Sequence, residues 1–518
     1  MMKSPAIKRS SPGLRRASTY SLPVCTGGWD TSSPLAAMPA DSAVLLENWL
    51  PKAYEIETRP GAQYWINTVP EALETFALYN GPTSSKLFAA GPTGMWDISS
   101  TNPTPPAQLF TLGSSQISSA NISTIGGHFM TVVNGLDYLR LFDGTSWSTI
   151  TDISVPSILG VPTSSLRTVH LLKRRLWFSV NSSSSAWYLP VAQIAGNLTE
   201  FPLGQVFRLG GTLVDMASWT LDGGNGSDDY TVFVSSFGEV AVYRGSDPAS
   251  DFSLVGLYFI GEPVGRFPLT KYGGDLLFLC RDGLYPLSKA LLSATINRQS
   301  ALTVKIAPSF AEAVATYGNL PEWRVCVYPE GNLLLVNIPI TTGYSMQFCM
   351  NTLTGAWTKF TGWNSPDWIV YGLKLMFLPQ GSVGRAWVGS SDFGAAINCK
   401  AQQAFSYLGQ RGRNKHFKLV RPTISSTEGV KVFLGLDTDF ALSDFAATEI
   451  STSFAGDRWD ASLWDTAIWV GGRLPQRDWA TVATREGFSY SIRLQVNSNN
   501  ATVAWSATDV VYEPGGVL

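Results

Sequence analysis

Between residues 62 and 405 one pattern recurs: a short apolar run, a turn built on Gly, Asn or Asp, and a second apolar run. It is legible in 86–99, 129–143, 176–190, 230–244, 275–288, 324–338 and 385–399. Apolar and polar residues alternate on either side of each turn. That is the mark of a β-hairpin, because successive side chains of a strand face opposite ways. Phe88, Met130, Trp177, Val232, Leu277, Val327 and Trp387 hold equivalent places and follow one another at intervals of 42 to 60 residues. Such intervals suit four-stranded blades of a β-propeller with loops of uneven length. A series of β-sandwiches would also yield hairpins, but it would not need so regular a spacing. The seven hairpins therefore predict a propeller of about six to eight blades over 62–405, although no WD dipeptide pattern or Kelch signature accompanies them.

Composition points the same way. The 518 residues include 48 Gly, 30 Pro and 18 Trp, which build turns and pleated surfaces and break helices. Hydrophobic residues make up 45% and charged residues 15%, a balance that demands large cores and excludes a solvated, disordered chain. The low charge also argues against long solvent-facing helices. No run of 18 apolar residues is present, so no membrane span is expected.

The flanks read differently. Residues 1–26 are polar and aperiodic, and 1–29 carry Lys3, Lys8, Arg9, Arg15 and Arg16 with no acidic residue. The rest of the chain is mildly acidic, which does not suit a nucleic-acid reader. The basic start has no apolar core, so it is not a secretory signal. Its Arg and Ser content loosely fits an organelle transit peptide; an arm that is disordered or docks onto something is the preferred reading. Five prolines or glycine pairs chop 27–61 into short pieces: Asp41 is placed to cap one helical turn over Val44–Leu46, Tyr54–Thr58 alternates as a strand, and Arg59-Pro60-Gly61 reads as a turn. Trp29, Leu35, Met38, Leu45 and Trp49 are too large to be buried by so short a segment, and must pack on this body or a neighbour's. They are the candidate interaction residues of an extended N-terminal arm, 1–61. From 406 the character changes to a basic run with Arg411, Arg413, Lys415, Lys418 and Arg421, followed by further alternating runs that predict a C-terminal β-sandwich over 406–518. Trp459, Trp464 and Trp469 recur every five residues, a period of neither strand nor helix, and with Trp479 are expected on a looped segment as core plugs or an interface cluster.

Residues that carry chemistry are sparse. The histidines are His128, His170 and His416, none in a metal-binding spacing. There is no nucleophile elbow and no phosphate-binding P-loop. Asp222–Asp229 has the composition of a calcium loop without the ordered ligand pattern, and a surface hairpin loop is the preferred reading. Cys25, Cys280, Cys326, Cys349 and Cys399 are odd in number and far apart, which disfavours a disulfide framework. The expectation is a protein without catalytic residues, cofactor or metal.

Three stretches carry a resemblance. Gly27-Gly28-Trp29-Asp30-Thr31 with Ser33-Pro34-Leu35, Met38-Pro39, Ala43, Leu46-Glu47-Asn48-Trp49, Pro51 and Arg59-Pro60-Gly61 resembles the opening of the tail nozzle proteins, or tail tubular protein B-like family, of short-tailed bacteriophages. The closing Thr508-Asp509 and Glu513–Leu518 resemble the same family, as do Lys418–Pro422 followed by Asp437–Phe440. The resemblance implies a propeller protein that forms a ring, typically a hexamer, below the head-to-tail adaptor. The ring continues the DNA channel and supports tail fibre or spike proteins. It also implies a place in the virion tail, after assembly in the host bacterial cytoplasm. Two alternatives stay open: a glycan-binding or glycan-cleaving receptor-interacting propeller, and a neighbouring hub or stopper of the same tail.

Overall fold

The computed structural model describes residues 17–101, 105–222, 227–290, 298–428, 430–444, 448–451, 474–476, 479–481 and 485–517. The chain divides into two compact units, one running from Pro60 to Ala395, the other combining the chain up to Arg59 with the chain from Ala396.

The Pro60–Ala395 unit is a β-propeller. Its described strands group into seven antiparallel meanders. Blade 1 spans Thr75–Thr111, blade 2 Ser118–Ile150, blade 3 Leu166–Phe201, blade 4 Leu213–Phe259, blade 5 Leu269–Pro286 and blade 6 Arg324–Phe360. Blade 7 has three strands from Trp368–Ala386, and its fourth is Ala62–Ile66, which pairs antiparallel with Val383–Ala386. The first strand of each blade lies beside the first strand of the next, and that of blade 7 lies beside that of blade 1, so the circle closes around a channel. Ala62–Ile66 is thus the seam: a strand from the start of the unit completes the sheet made at its end. Gly61, just before the seam, is tied to the backbone of 388–391, donating to the Gly389 carbonyl and accepting from Val388. A Cβ there would come within 2.0 Å of the Ser391 oxygen, so only glycine fits.

Stability comes from a ring of separate cores, each between two neighbouring blades. Tyr79, Phe88 and Met95 of blade 1 meet Met130, Val132 and Phe142 of blade 2. Leu176 and Phe178 of blade 3 meet Ile122 and Leu141 of blade 2. The opposite face of blade 3 sets Trp177 and Tyr188 against Phe233 and Tyr243 of blade 4. Each blade therefore buries both faces, and residues adjacent in sequence, such as Trp177 and Phe178, serve different cores. Fully burying each such side chain is worth about 1.5–3 kcal/mol. Blade 5 has three strands among the described residues. Its outer edge is instead met by the helical turn Leu302–Ile306, where Thr303 Oγ1 accepts a hydrogen bond from the Leu284 N–H; the helix Ala307–Tyr317 follows.

Six of the seven expected hairpins are real, and 324–338 joins the first and second strands of its blade, whereas the five before it join second and third. The seventh, 385–399, is not a hairpin. Val383–Ala386 ends at Trp387, whose φ of +65° breaks the strand, and Ile397–Gln403 belongs to the other unit. The last blade's turns lie earlier, within Trp368–Ala386.

The other unit is a β-sandwich. One sheet runs Ser42–Glu47, Ile397–Gln403, Tyr490–Ser498, Lys431–Thr438, Thr448–Ser451, with Gly28–Trp29 parallel to Ser42–Glu47. The second runs Leu474–Gln476, Arg413–Ser426, Val503–Val517, Ile56–Thr58, Trp49–Pro51, with Ser18–Pro23 also paired to Val503–Val517. The ring of Phe417 in the second sheet meets that of Tyr490 in the first, centroids 4.7 Å apart. The expected boundaries at 61 and 406 are therefore replaced by breaks at 59 and 396. The described part of the expected N-terminal arm forms strands of the sandwich. Ser42–Glu47 is a strand and not the expected helical turn, since Ala43 and Leu46 are buried within a sheet and pairing outweighs the Asp41 cap. Arg59-Pro60-Gly61 is extended chain between strands and not a turn.

Candidate functional site

The first strands of the blades face the axis. Residues from all seven line one cavity of about 440 Å³: Phe76, Ser119, His170, Asp215, Lys271, Arg324 and Trp368, one for each blade. Because these strands run in the same sense around the ring, residues at their starts collect at one mouth. Ionic groups gather there. His170 Nε2 lies 2.9 Å from Asp215 Oδ1, and Arg324 Nε lies 3.1 Å from Asp367 Oδ1. Asp215 also accepts from the Met216 and Leu269 N–H groups, and Asp367 from those of Phe76 and Trp368. The two carboxylates thus brace strand starts from the inside. Burial pushes the Asp367 carboxyl above its ordinary range, against the pull of Arg324 and its two N–H donors.

Arg266 is 7% exposed and donates from Nη2 to the Arg167 carbonyl at 2.7 Å. Its guanidinium carbon sits 5.4 Å from the centre of the Phe267 ring, and that of Arg324 sits 4.6 Å from the same centre. One aromatic ring therefore carries two cations. Burial, reinforced by the charges of Arg167 and Arg324, lowers the Arg266 pKa to about 9, with Asp215 acting the other way. Arg266 keeps its proton at neutral pH. Cys326, also on the cavity wall, has its thiol pushed up to about 12 by burial and then by Asp367, and is a poor nucleophile.

None of these channel residues except His170 and Cys326 was singled out from the sequence. The available signal was positional: Leu166-Arg167-Thr168, Gly265-Arg266-Phe267 and Trp323-Arg324-Val325 each place an arginine at or just before the first strand of a blade.

The arm residues lie in the sandwich unit. Trp29, Met38 and Trp49 are buried there, at 6%, 8% and 0% exposure, while Leu35 and Leu45 are half-buried. Trp49 packs on Trp505, ring centres 6.4 Å apart. The structure thus gives Trp29, Met38 and Trp49 partners in their own chain and leaves accessible surface on Leu35 and Leu45. The basic run 411–421 is largely spent on local pairs: Lys418 with Glu513, Arg421 with Asp509 and over the Trp479 ring, Arg411 over Tyr407. Lys415 is buried, its Nζ donating to the carbonyls of Gln410, Arg413 and Phe488. His416 faces Glu486 at 3.2 Å, and His128 Nδ1 lies 2.8 Å from Ser123 Oγ. All five cysteines are buried. Trp459, Trp464, Trp469 and the centre of the 222–229 loop lie outside the described residues. Among the described residues no group of three or more His, Cys, Asp or Glu is arranged to hold a metal ion, and no helix is long and apolar enough to cross a membrane.

No family model matches this sequence, and no curated protein does. Solved structures match at a distance. Sqt1 of Saccharomyces cerevisiae is 12% identical with a TM-score of 0.33, over 64% of this chain and 98% of its own. A putative 6-phosphogluconolactonase of Bacteroides fragilis is 12% identical with a TM-score of 0.35, over 64% of this chain and 91% of its own. YCF48 bound to D1 peptide is 12% identical with a TM-score of 0.38, over 69% of this chain and 99% of its own. Likenesses this remote assign no activity to the channel.

Proposed function

We propose that this chain is a structural subunit of a short phage tail, a nozzle-type protein that acts by shape and assembly. The observation that carries the reading is where the three family-like stretches lie. Residues 27–59, 418–422 with 437–440, and 508–517 are far apart in sequence, yet all belong to the sandwich unit, to which they contribute paired strands. Arg421 of one stretch binds Asp509 of another, and Asp509 in turn accepts from Ser21. Asp30 accepts from the Ser32 and Ser33 N–H groups and turns the chain after Trp29. Motif residues that hold one another in place are what an architectural unit requires.

In this reading the subunits close into a ring, of sixfold symmetry in the family, beneath the head-to-tail adaptor. A ring repeats one heterologous surface around an axis. Tail fibres or spikes attach to it, and the genome passes through its lumen, eased by a mildly acidic body that repels phosphate. The protein belongs in the virion tail and is assembled in the bacterial cytoplasm. Cryo-electron microscopy of the intact particle tests this directly: density for this propeller in a ring below the portal is expected. Virions whose tails contain no such density, together with a purified protein that stays monomeric at all concentrations, would overturn it.

A further inference from the structure

The outer strand of blade 4, Ser253–Phe259, is seven residues long, whereas those of blades 1, 2 and 3 have four, four and three. It pairs with Glu239–Arg244 on its inner side, and no strand among the described residues pairs with its other side. Such an edge presents a row of backbone N–H and C=O groups to any strand that reaches it, and edges are ordinarily blunted by lysine, proline, shortness or a bulge. From Phe252 to Gly261 this one has no charged residue and no proline. Leu254, Val255 and Phe259 are 46%, 49% and 54% exposed. A bulge at Val255, between the pairs Leu254–Tyr243 and Gly256–Val242, leaves Gly256–Phe259 as a regular edge.

The inner pairing fixes which groups point outward. The Ile260 N–H donates to the Gly238 carbonyl, and Tyr258, two residues earlier in the same register, is turned the same way. Leu257 and Phe259 alternate with them and therefore aim their N–H and C=O groups at the open edge. Side chains alternate as well. Leu257 packs with Ala241 and Tyr243 in the core shared with blade 3, and Tyr258 with Val240 and Val242 in the core shared with blade 5. Phe259 takes the face of Leu257. We propose that this edge binds the same strand of a second copy, antiparallel, about a two-fold axis at Tyr258. In that register Leu257 of each copy exchanges two backbone hydrogen bonds with Phe259 of the other. The four side chains of these two pairs form one apolar patch on a single face. Tyr258 meets its counterpart across the axis, Gly256 lies opposite Ile260, and Leu254 lies opposite Glu262, so no two like charges meet. An uncharged edge suits an uncharged strand, and the strand itself repeats the required outward groups at the required spacing. The contact is isologous, whereas a ring sets one surface against a different one. It does not rest on the tail reading.

The test is a cysteine at the axis. Position 258 of the two copies forms a non-hydrogen-bonded pair with Cα atoms about 4.5 Å apart, inside the span of a disulfide, about 4.4–6.8 Å. The native cysteines are buried. Full-length Tyr258→Cys under mild oxidation is expected to give a disulfide-linked dimer on a non-reducing gel. Leu254→Cys, at the more exposed position, is expected to give at least about tenfold less, because it faces Glu262 of the other copy. Adding Phe259→Lys to Tyr258→Cys puts a charge on an edge that has none and should cut the yield about tenfold, with circular dichroism and melting unchanged. Sedimentation velocity of the protein with Tyr258 in place reads the pairing without any new cysteine: a doubling of mass with concentration is expected, and Phe259→Lys should remove it. No dimer from folded Tyr258→Cys, an equal yield from Leu254→Cys, a yield indifferent to Phe259→Lys, or no doubling in sedimentation would each overturn the pairing. A heterologous ring opposes no residue to itself, so these outcomes leave the ring to be read separately by microscopy of the particle.

Discussion

Asn48 sits where the chain leaves one sheet of the sandwich, after Glu47, and enters the other at Trp49, with φ of +59°. Few residues other than glycine take that conformation, and asparagine is the one that also brings two hydrogen-bonding groups. Its Oδ1 accepts from Arg59 Nε at 2.9 Å, and its Nδ2 donates to the Asn398 carbonyl at 2.8 Å. Arg59 is 1% exposed, so loss of this acceptor removes one anchor of a buried cation. Asn48→Ala is expected to lower the unfolding free energy by about 2–4 kcal/mol, the sum of backbone strain and the lost bonds. Asn48→Gly removes the bonds but not the permitted backbone, and should cost about 1–2 kcal/mol less than Ala. Urea unfolding followed by circular dichroism measures both. Equal losses in the two variants would place the whole effect in the hydrogen bonds.

Strand pairing gives two further expectations and shows what the sequence reveals about elements. Arg413–Ser426 and Val503–Val517 form the longest ladder of the sandwich, and along it Arg421 reaches Asp509 from both Nε and Nη2, at 3.1 and 2.6 Å. Burial alone would raise the Asp509 carboxyl; hydrogen bonds from Ser21 and Arg421 and the Arg421 charge outweigh it and hold the group below its ordinary range. A carboxyl lowered in the folded state stabilises above its unfolded pKa, about 3.9, and loses that contribution as pH falls through the folded value. The melting temperature of the wild type should therefore fall more steeply than that of Asp509→Asn between pH 6 and pH 3, read by differential scanning calorimetry. The seam supplies the second. Ile66 is 1% exposed and belongs to a core with Leu73, Phe76, Trp96, Met376 and Val383. Ile66→Asp places a charge there and should destabilise the propeller by more than about 3 kcal/mol, seen as early cleavage within 60–395 in limited proteolysis. Local pattern exposed most blades, because a hairpin is written in consecutive residues. It missed the seam and the true last blade, because Ala62–Ile66 pairs with Val383–Ala386 across the whole propeller sequence. The channel arginines were hidden for the same reason: each is unremarkable alone, and only closure of the ring brings Arg266 and Arg324 onto one phenylalanine.

At the scale of the molecule, the sequence order and the structural order differ. The propeller occupies an unbroken stretch, 60–395, whereas the sandwich is assembled from the two ends of the chain that flank it. The composition hardly changes at 59 or 396, so no boundary is visible there. The basic run at 411–421, which looked like one, is the opening of a fourteen-residue strand. This arrangement has a thermodynamic consequence. A propeller that contains its own seam closes its circle of blades within one contiguous segment, with no strand from elsewhere needed to complete the last blade. The fragment 60–395 is therefore expected to fold by itself with a single cooperative urea transition. A fragment beginning at residue 70 lacks Ala62–Ile66, leaves Val383–Ala386 as an open edge and strips Ile66 from the core between blades 7 and 1. It should lose more than about 3 kcal/mol of stability or aggregate. Analytical ultracentrifugation with urea titration of the two fragments compares them directly; equal stability would mean that closure of the circle does not depend on the seam strand.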